Sequence, residues 1–197
     1  DDTVRMARKI AAECGGIMVQ DTSWEELFIF QDCREGSQFT ESGDTMIFKF
    51  EAQAPKIDEK AYAFNTATLI GKVELKEYAS VWPGVTIRGD VNRIEVGRYS
   101  NIQDNSVLHV ADKYACIVGD YVTVGHCALL HACTVEDHCL IGMHSTVLDG
   151  AVIGHGSIVA AGAVVTKGTI VPRLSHVSRS LFIFKASDVI LHGPQEP

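Results

Sequence analysis

Four histidines and three cysteines crowd into residues 122–144, which read VTVGHCALLHACTVEDHCLIGMH. Imidazole and thiolate are the side chains that zinc prefers, so this stretch could hold a metal ion. Three histidines are candidates, His109, His126 and His131, separated by 17 and 5 residues. Three imidazoles around an ion with an open fourth position describe a catalytic zinc site. Spacing alone leaves open the alternative that they are surface histidines on a polar face.

The cysteines of this stretch are predicted to be packing residues. Cys127, Cys133 and Cys139 are six residues apart, which is the spacing of equivalent positions in a six-residue repeat. A free cysteine behaves as a small hydrophobic side chain, so we expect all three to face a core. The six cysteines of the chain form no CxxC pair, and we expect reduced thiols in an intracellular compartment.

The element that would position these side chains is a repeat of six residues. From Ile117, steps of six reach an aliphatic residue at nine of ten positions, Thr123 being the exception. The other positions are Leu129, Val135, Ile141, Val147, Ile153, Val159, Val165 and Val171. The same spacing holds from Leu69 to Ile87 and from Val96 to Leu108, with two breaks of nine residues.

This period predicts an all-β fold, a parallel β-helix of hexapeptide repeats with one large aliphatic residue per strand facing inward. A six-residue period fits neither a helix of 3.6 residues per turn nor a long alternating strand. A β-sandwich with coincidental spacing is the alternative, but sandwich strands vary in spacing and depend on alternation.

The repeat also predicts where the histidines lie. With about 18 residues per three-sided coil, His109 and His126 should be near one another on successive coils, and His126 and His131 on different faces of one coil. A single chain cannot easily close three imidazoles around a metal in this arrangement, whereas a neighbour related by three-fold symmetry could. His144, 18 residues after His126, should lie one coil above it with an exposed side chain. His138 and His155 are expected to be solvated at corners.

Several motifs resemble the gamma-class carbonic anhydrase family. They are RGD at Arg88–Asp90, NIQD at Asn101–Asp104, a histidine five residues later, and then VGH and LH. The resemblance extends from about Met46 to Val171. It implies a left-handed β-helix, a trimer, and three metal sites at the subunit interfaces.

The resemblance implies a ligand set and a reaction. The ligands would be His109 and His131 from one subunit and His126 from its neighbour. The metal would be zinc, with iron or cobalt as alternatives. Zinc with imidazole ligands lowers the pKa of bound water to about 7, as is established for carbonic anhydrases in general. The resulting hydroxide would hydrate CO2 to bicarbonate.

Four further residues carry roles over from the family. Arg88 and Asp104 match interface ion-pair positions, and Asp90 matches a nearby acid that can fix an imidazole tautomer. Gln103 matches the residue that holds the metal-bound water, and an amide can both donate to and accept from that water. The segment between the first two ligands departs from the family, because it is short and offers little acid besides Asp112.

The predicted domain organisation is an N-terminal docking extension over 1–45 that is helical or irregular, a β-helix domain over 46–172, and a C-terminal tail over 173–197 that forms a helix or a strand. The extension includes AECGGIMVQDTSWEELFIF, which is weakly similar to gamma carbonic anhydrase-like subunits of mitochondrial respiratory complex I. A second hypothesis is therefore an assembly subunit on the membrane arm of that complex, in a homotrimer or a heterotrimer with related chains. The predicted location is mitochondrial, with cytoplasmic as the alternative.

A hexapeptide acyltransferase using coenzyme A is the third hypothesis. It predicts one catalytic histidine and a long substrate loop, and it does not explain Gln103 together with three histidines.

Composition excludes other classes of protein. The net charge of −8, the pI near 5.4 and the lack of a basic run argue against nucleic-acid binding. Hydrophobic residues at 46% and charged residues at 21% indicate a globular chain, and no apolar stretch reaches the roughly 20 residues of a membrane span.

Overall fold

The computed structural model describes residues 46–178 and the backbone of residues 183–185. This part of the chain contains twenty strands and no helix, and hence no apolar helix of membrane-spanning length. The strands are β1 (Met46–Phe48), β2 (Lys56–Ile57), β3 (Tyr62–Ala63), β4 (Thr68–Leu75), β5 (Ser80–Val81), β6 (Thr86–Val96), β7 (Asn101–Ile102), β8 (Val107–His109), β9 (Cys116–Val118), β10 (Thr123–Val124), β11 (Leu129–His131), β12 (Thr134–Val135), β13 (Leu140–Ile141), β14 (Thr146–Val147), β15 (Val152–Ile153), β16 (Ile158–Val159), β17 (Val164–Val165), β18 (Ile170–Val171), β19 (Ser175–Val177) and β20 (Ile183–Lys185).

The strands stack as a parallel β-solenoid of about seven turns, which confirms the predicted fold class. One sheet runs β20-β19-β16-β13-β10-β7-β5-β3. The other runs β17-β14-β11-β8-β6-β9-β12-β15-β18, and in it β4 also pairs with β6 while β1 and β2 pair with β4. Among these described strands, every pairing is parallel except that of β19 with β20. Strand β6 pairs with β8 along its first part and with β9 along its last part, so the larger sheet covers two faces of the solenoid.

Two positions in each repeat face the interior. The large aliphatic side chains include Leu69, Ile102 and Ile141, all fully buried. The residue two positions earlier is small or medium in size, as with Ala67, Ser100 and Cys139. Alternation along a strand places residues i and i−2 on the same side, so the corner residue and the strand residue together fill each layer of the core.

The predicted register is off by one over Ile117, Thr123 and Leu129. These side chains are only partly buried, whereas the next residues, Val118, Val124 and Leu130, are buried to within 1%. The inward position then moves from Leu130 to Val135, a step of five residues. This short step restores the predicted register, and from Val135 to Val171 every predicted inward position is buried.

The short step also corrects the placement of Cys127 and His144. Cys127 is half-buried at a corner with a φ of 58°, so it is not a core residue, whereas Cys133 and Cys139 are buried as predicted. Val124 pairs in register with Ile141, 17 residues later. The residue above His126 is therefore Met143, and His144 lies above Cys127 with its side chain exposed, as expected.

One corner of the solenoid carries a ladder of aromatic rings. Tyr78, Tyr99, Tyr121 and His138 occupy equivalent corner positions with φ between 56° and 60°. Successive centroids are 4.8, 5.0 and 5.0 Å apart, with planes within 20° of parallel. Left-handed backbone at residues other than glycine costs about 1–2 kcal/mol each, and the stacking offsets part of that cost. His138 was predicted to be solvated, but it is half-buried because its ring stacks on Tyr121.

The predicted end segments of the chain are described only in part. The N-terminal extension, 1–45, lies outside the described residues, and β1 begins at Met46. Strand β19 continues the smaller sheet into the segment that was predicted as the tail. The backbone of β20 returns antiparallel to β19, so this part of the tail is a strand. The limits of the three predicted segments stay predictions.

Candidate metal centre

His109 and His131 lie side by side at the ends of adjacent strands. Strands β8 and β11 pair in register, with Leu108 opposite Leu130 and His109 opposite His131. The His109 Nδ1 and His131 Nε2 atoms are 3.1 Å apart. The prediction that His109 neighbours His126 is wrong, because the coil from His109 to the next equivalent position is 22 residues long. The extra residues form the loop that follows His109.

Each of these two imidazoles has a carboxylate on its other ring nitrogen. His109 Nε2 is 3.2 Å from an oxygen of Asp90, and His131 Nδ1 contacts an oxygen of Asp149. Arg88 Nη1 contacts the second oxygen of Asp90. A carboxylate accepts a hydrogen bond and cannot donate one. The carboxylates can accept the protons of the outer nitrogens, and in that tautomer the two inner nitrogens face each other as lone pairs.

Two lone pairs 3.1 Å apart fit a cation that contacts both nitrogens. Two neutral acceptors at this distance repel each other unless a positive group lies between them. In a tetrahedral zinc site with Zn–N bonds of about 2.0–2.1 Å, ligand nitrogens are about 3.3 Å apart. Carboxylate–imidazole pairs of this kind orient the ligands of zinc sites. The donor set and its spacing therefore fit zinc.

The surroundings of the pair favour a neutral His109 and ionised Asp90 and Asp149 carboxyl groups. Partial burial, followed by the charge of Arg88, lowers the pKa of His109 against the opposing effect of Asp90. The hydrogen bond from His131 lowers the pKa of Asp149. Partial burial tends to raise the pKa of Asp90, but the backbone amide of Val91 and the Arg88 guanidinium outweigh it and the net shift is downward. A histidine must be neutral to bind a metal, so the lowered pKa of His109 suits ligation.

His126 lies at a different corner of the solenoid. It follows β10 at the corner that also carries Gln103 and Asp104 of the coil below, and its Nδ1 is 3.1 Å from an oxygen of Asp104. Its side chain is 44% exposed. Within the described residues, no three histidine, cysteine, aspartate or glutamate side chains of one chain are arranged to hold a metal ion. The chain thus offers a pair of imidazoles in one place and a single imidazole in another.

The predicted residues divide between these two places. Arg88 and Asp90 lie with the His109–His131 pair, whereas Gln103 and Asp104 lie at the corner of His126. The prediction of site residues missed Asp149, which contacts His131. Its signal was present in the sequence, because Asp149 follows His131 by 18 residues, the length of one regular coil.

Comparisons with known proteins agree with this architecture. A model of the bacterial transferase hexapeptide, six repeats long, matches residues 132–167. The chain is 46% identical over 91 residues, 43% of its length, to gamma carbonic anhydrase 1, mitochondrial, of Arabidopsis thaliana, of which it covers 33%. It is 47% identical over 79 residues, 40% of its length, to a probable carbonic anhydrase of Methanocaldococcus jannaschii, of which it covers 50%. The chain thus spans a third to a half of these curated relatives.

A solved structure extends the match over most of a related protein. The crystal structure of a hexapeptide transferase family protein from Anaplasma phagocytophilum superposes with a TM-score of 0.64 at 40% identity. The match covers 66% of this chain and 77% of that one. Together with the solenoid and the hexapeptide repeats, these similarities show that the chain belongs to the gamma carbonic anhydrase family of hexapeptide-repeat proteins.

Proposed function

We propose that the chain is a zinc-dependent carbonic anhydrase whose sites form between subunits of a trimer. One observation carries the proposal. Each of the three histidines has one ring nitrogen in contact with a carboxylate oxygen. The pairs are His109 with Asp90, His126 with Asp104, and His131 with Asp149. Such pairing is typical of metal-binding histidines, because it fixes the tautomer and frees the other nitrogen.

A second copy of the chain would complete the site. His126 lies on another corner of the same solenoid, so its free nitrogen can reach a His109–His131 pair only on a neighbour. Contact between two different surfaces closes into a ring when the rotation between copies is three-fold. The corner of His126 also carries Gln103, so the same contact would bring the amide of Gln103 to the site.

In this proposal, the residues of the chain orient the ligands and the reactants. Bound zinc would act as a Lewis acid and let water lose a proton near neutral pH. Asp90, Asp104 and Asp149 hold the three imidazoles in their ligating tautomers, and Arg88 helps to keep His109 uncharged. The amide of Gln103 can donate to one reactant oxygen while it accepts from another. The reaction is the reversible hydration of CO2 to bicarbonate, with iron or cobalt as alternative metals.

The test is complementation between two inactive variants. We expect His126→Ala and His131→Ala each to abolish CO2 hydration by the zinc-loaded protein, measured by stopped flow with a pH indicator. In a 1:1 mixed assembly, one chain supplies an intact pair and the other an intact His126. Random mixing in a ring then restores about a quarter of the sites, and hence about a quarter of the wild-type rate. Stoichiometric zinc with no hydration above buffer in the wild type would contradict the enzyme proposal.

An assembly role in mitochondria is the second candidate. The Arabidopsis relatives are named mitochondrial, which supports that location, and the cytoplasm is the alternative. In this case the chain would form a homotrimer or a heterotrimer with related chains and attach to the membrane arm of respiratory complex I. Native electrophoresis of mitochondrial extracts distinguishes the candidates, because an assembly subunit migrates with the large complex and a free enzyme as a trimer.

The transferase name of the Anaplasma relative keeps an acyltransferase as the last candidate. A coenzyme A thioester would then be a substrate, and His126→Ala would leave its binding intact. We expect no binding of acetyl-coenzyme A in calorimetry, because an acyltransferase does not explain Gln103 together with three carboxylate-paired histidines.

A further inference from the structure

The loop that follows His109 is fastened to the strand that carries Asp90. Ala111 and Tyr114 form an antiparallel bridge with two backbone hydrogen bonds of 3.1 and 3.2 Å. The side-chain amide of Asn92 donates to the carbonyl oxygens of Ala111 and Asp112, at 3.1 and 3.2 Å. Asn92 follows Asp90 by two residues on β6. The strand that carries Asp90, the carboxylate partner of His109, therefore also holds the loop.

At its other end, the loop contacts the backbone beside Asp149, the carboxylate partner of His131. The phenol ring of Tyr114 lies over Gly150, so closely that a Cβ on Gly150 would be 3.2–3.4 Å from three ring atoms. Gly150 has a φ of 67°, and its amide donates to the carbonyl of Ala132 at 2.7 Å. Gly150 directly follows Asp149, whose carboxylate contacts His131. The ring of Tyr114 therefore restrains the backbone that presents Asp149.

These contacts form a continuous chain of neighbouring residues that begins and ends at Asp90 and includes the two imidazoles. It runs from Asp90 along β6 to Asn92, then through the loop to Tyr114, Gly150 and Asp149. From there it returns through His131 and His109 to Asp90. We name residues 111–114 with the Tyr114 ring the clasp.

We propose that Tyr114 is a positioning residue that holds Asp149 against His131 through the clasp and thereby sets the affinity of the imidazole pair for zinc. The proposal rests on the proposed function only for the identity of the bound ion. Tyr114 is 44% exposed, so the clasp acts at the surface and not as part of the core. Its removal opens no interior cavity, and Tyr114→Ala should therefore fold.

The first test uses the metal-free protein. We expect Tyr114→Ala to speed hydrogen–deuterium exchange of the Gly150 amide by about fivefold or more, because local opening becomes easier. Tyr114→Phe keeps the ring and should leave the exchange unchanged. Ile170→Ala, which truncates a 62% exposed side chain on β18, is the remote control. Unchanged exchange in Tyr114→Ala would overturn the clasp whether or not zinc binds.

The second test is the zinc affinity, measured by competition with a chromophoric chelator. Loss of a group that orients a ligand weakens metal binding by about 10–100-fold, and we expect about tenfold for Tyr114→Ala and no change for Tyr114→Phe. In an Asp149→Asn background, Tyr114→Ala should weaken binding no further, since both changes act on one support. Additive losses would overturn the proposed route through Asp149. Absence of zinc binding by the wild type would instead contradict the proposed function, and the exchange result would still decide the clasp.

Discussion

The substitution Asp149→Asn removes the carboxylate that contacts His131 and changes few atoms. The carboxylate accepts the Nδ1 proton of His131 and leaves Nε2 free. An amide can instead turn its NH2 group toward Nδ1, and the ring proton then moves to Nε2, the atom that would ligate zinc. The substitution thus removes a charge and also permits the wrong tautomer. We expect zinc to bind more weakly.

The magnitude follows from the environment of the pair. Support of a ligating histidine by a carboxylate is worth about 10–100-fold in metal affinity. The side chains of Asp149 and His131 are 27% and 31% exposed, so solvent screens the contact and places the effect at the low end of that range. We expect a loss of about tenfold, or about 1.4 kcal/mol.

The assay is zinc competition with a chelator at constant pH and ionic strength. Asp112→Asn is the matched control, because it removes the same charge from the loop beside the site, where the backbone carbonyl of Asp112 makes the contact with Asn92. We expect this control to stay within about twofold of the wild type. Equal zinc affinity in the wild type and in a folded Asp149→Asn variant would refute the argument that Asp149 fixes the ligating tautomer.

The same substitution makes a prediction about pH in the zinc-free chain. Hydrogen bonding to His131 lowers the pKa of Asp149 in the folded state. The stabilisation is therefore fully present above the unfolded pKa of about 3.9 and is lost as the pH falls through the lower folded value. The difference in unfolding free energy between the wild type and Asp149→Asn should persist at neutral pH and shrink below about pH 4.

Two further predictions concern the solenoid. Leu130→Ala should lower the free energy of unfolding by about 2–5 kcal/mol in urea denaturation, because Leu130 is fully buried. Leu129→Ala should lower it by about 1 kcal/mol or less. Equal losses for the two variants would contradict the register in which Leu130 faces inward. Burial, followed by the charge of His155, lowers the pKa of His138. The unfolded chain therefore takes up this proton first as the pH falls through about 6.5, and stability decreases. His138→Tyr should lose less stability than the wild type between pH 7.5 and pH 5.5, and equal losses in urea unfolding would argue against a depressed pKa.

The fold was predictable because the solenoid repeats one local rule. Each strand needs a large aliphatic residue inside, and Val135, Ile141 and Val147 satisfy it at steps of six. The register over the preceding coil was not predictable in the same way. Leu129 and Leu130 are both aliphatic, so the period alone cannot choose which faces inward. Only the stacking of β11 on β8, with Leu130 opposite Leu108, selects Leu130.

The candidate site was predictable in its residue types but not in its arrangement. The motifs predict all three histidines as ligands, which stays a prediction, and the assumption of a uniform coil placed His126 beside His109. The coil between His109 and His131 is longer than a regular one, because the loop fastened by Asn92 is inserted into it. Asp149 was missed for a different reason, since it lies outside the motifs and its contact with His131 arises only when successive coils stack.

The sequence by itself determined the solenoid, the inward aliphatic residues of most coils and the residue types of the candidate site, because each of these depends on local period and residue type. The tertiary structure alone decided which side chains meet. His109 lies against His131, His126 lies against Asp104 at another corner, and Tyr114 lies over Gly150. The physical reason is that contacts between coils depend on the number of residues in each turn. One inserted loop or one short step therefore changes the neighbours of the coil that contains it, and the regular spacing of 18 residues returns in the coils that follow.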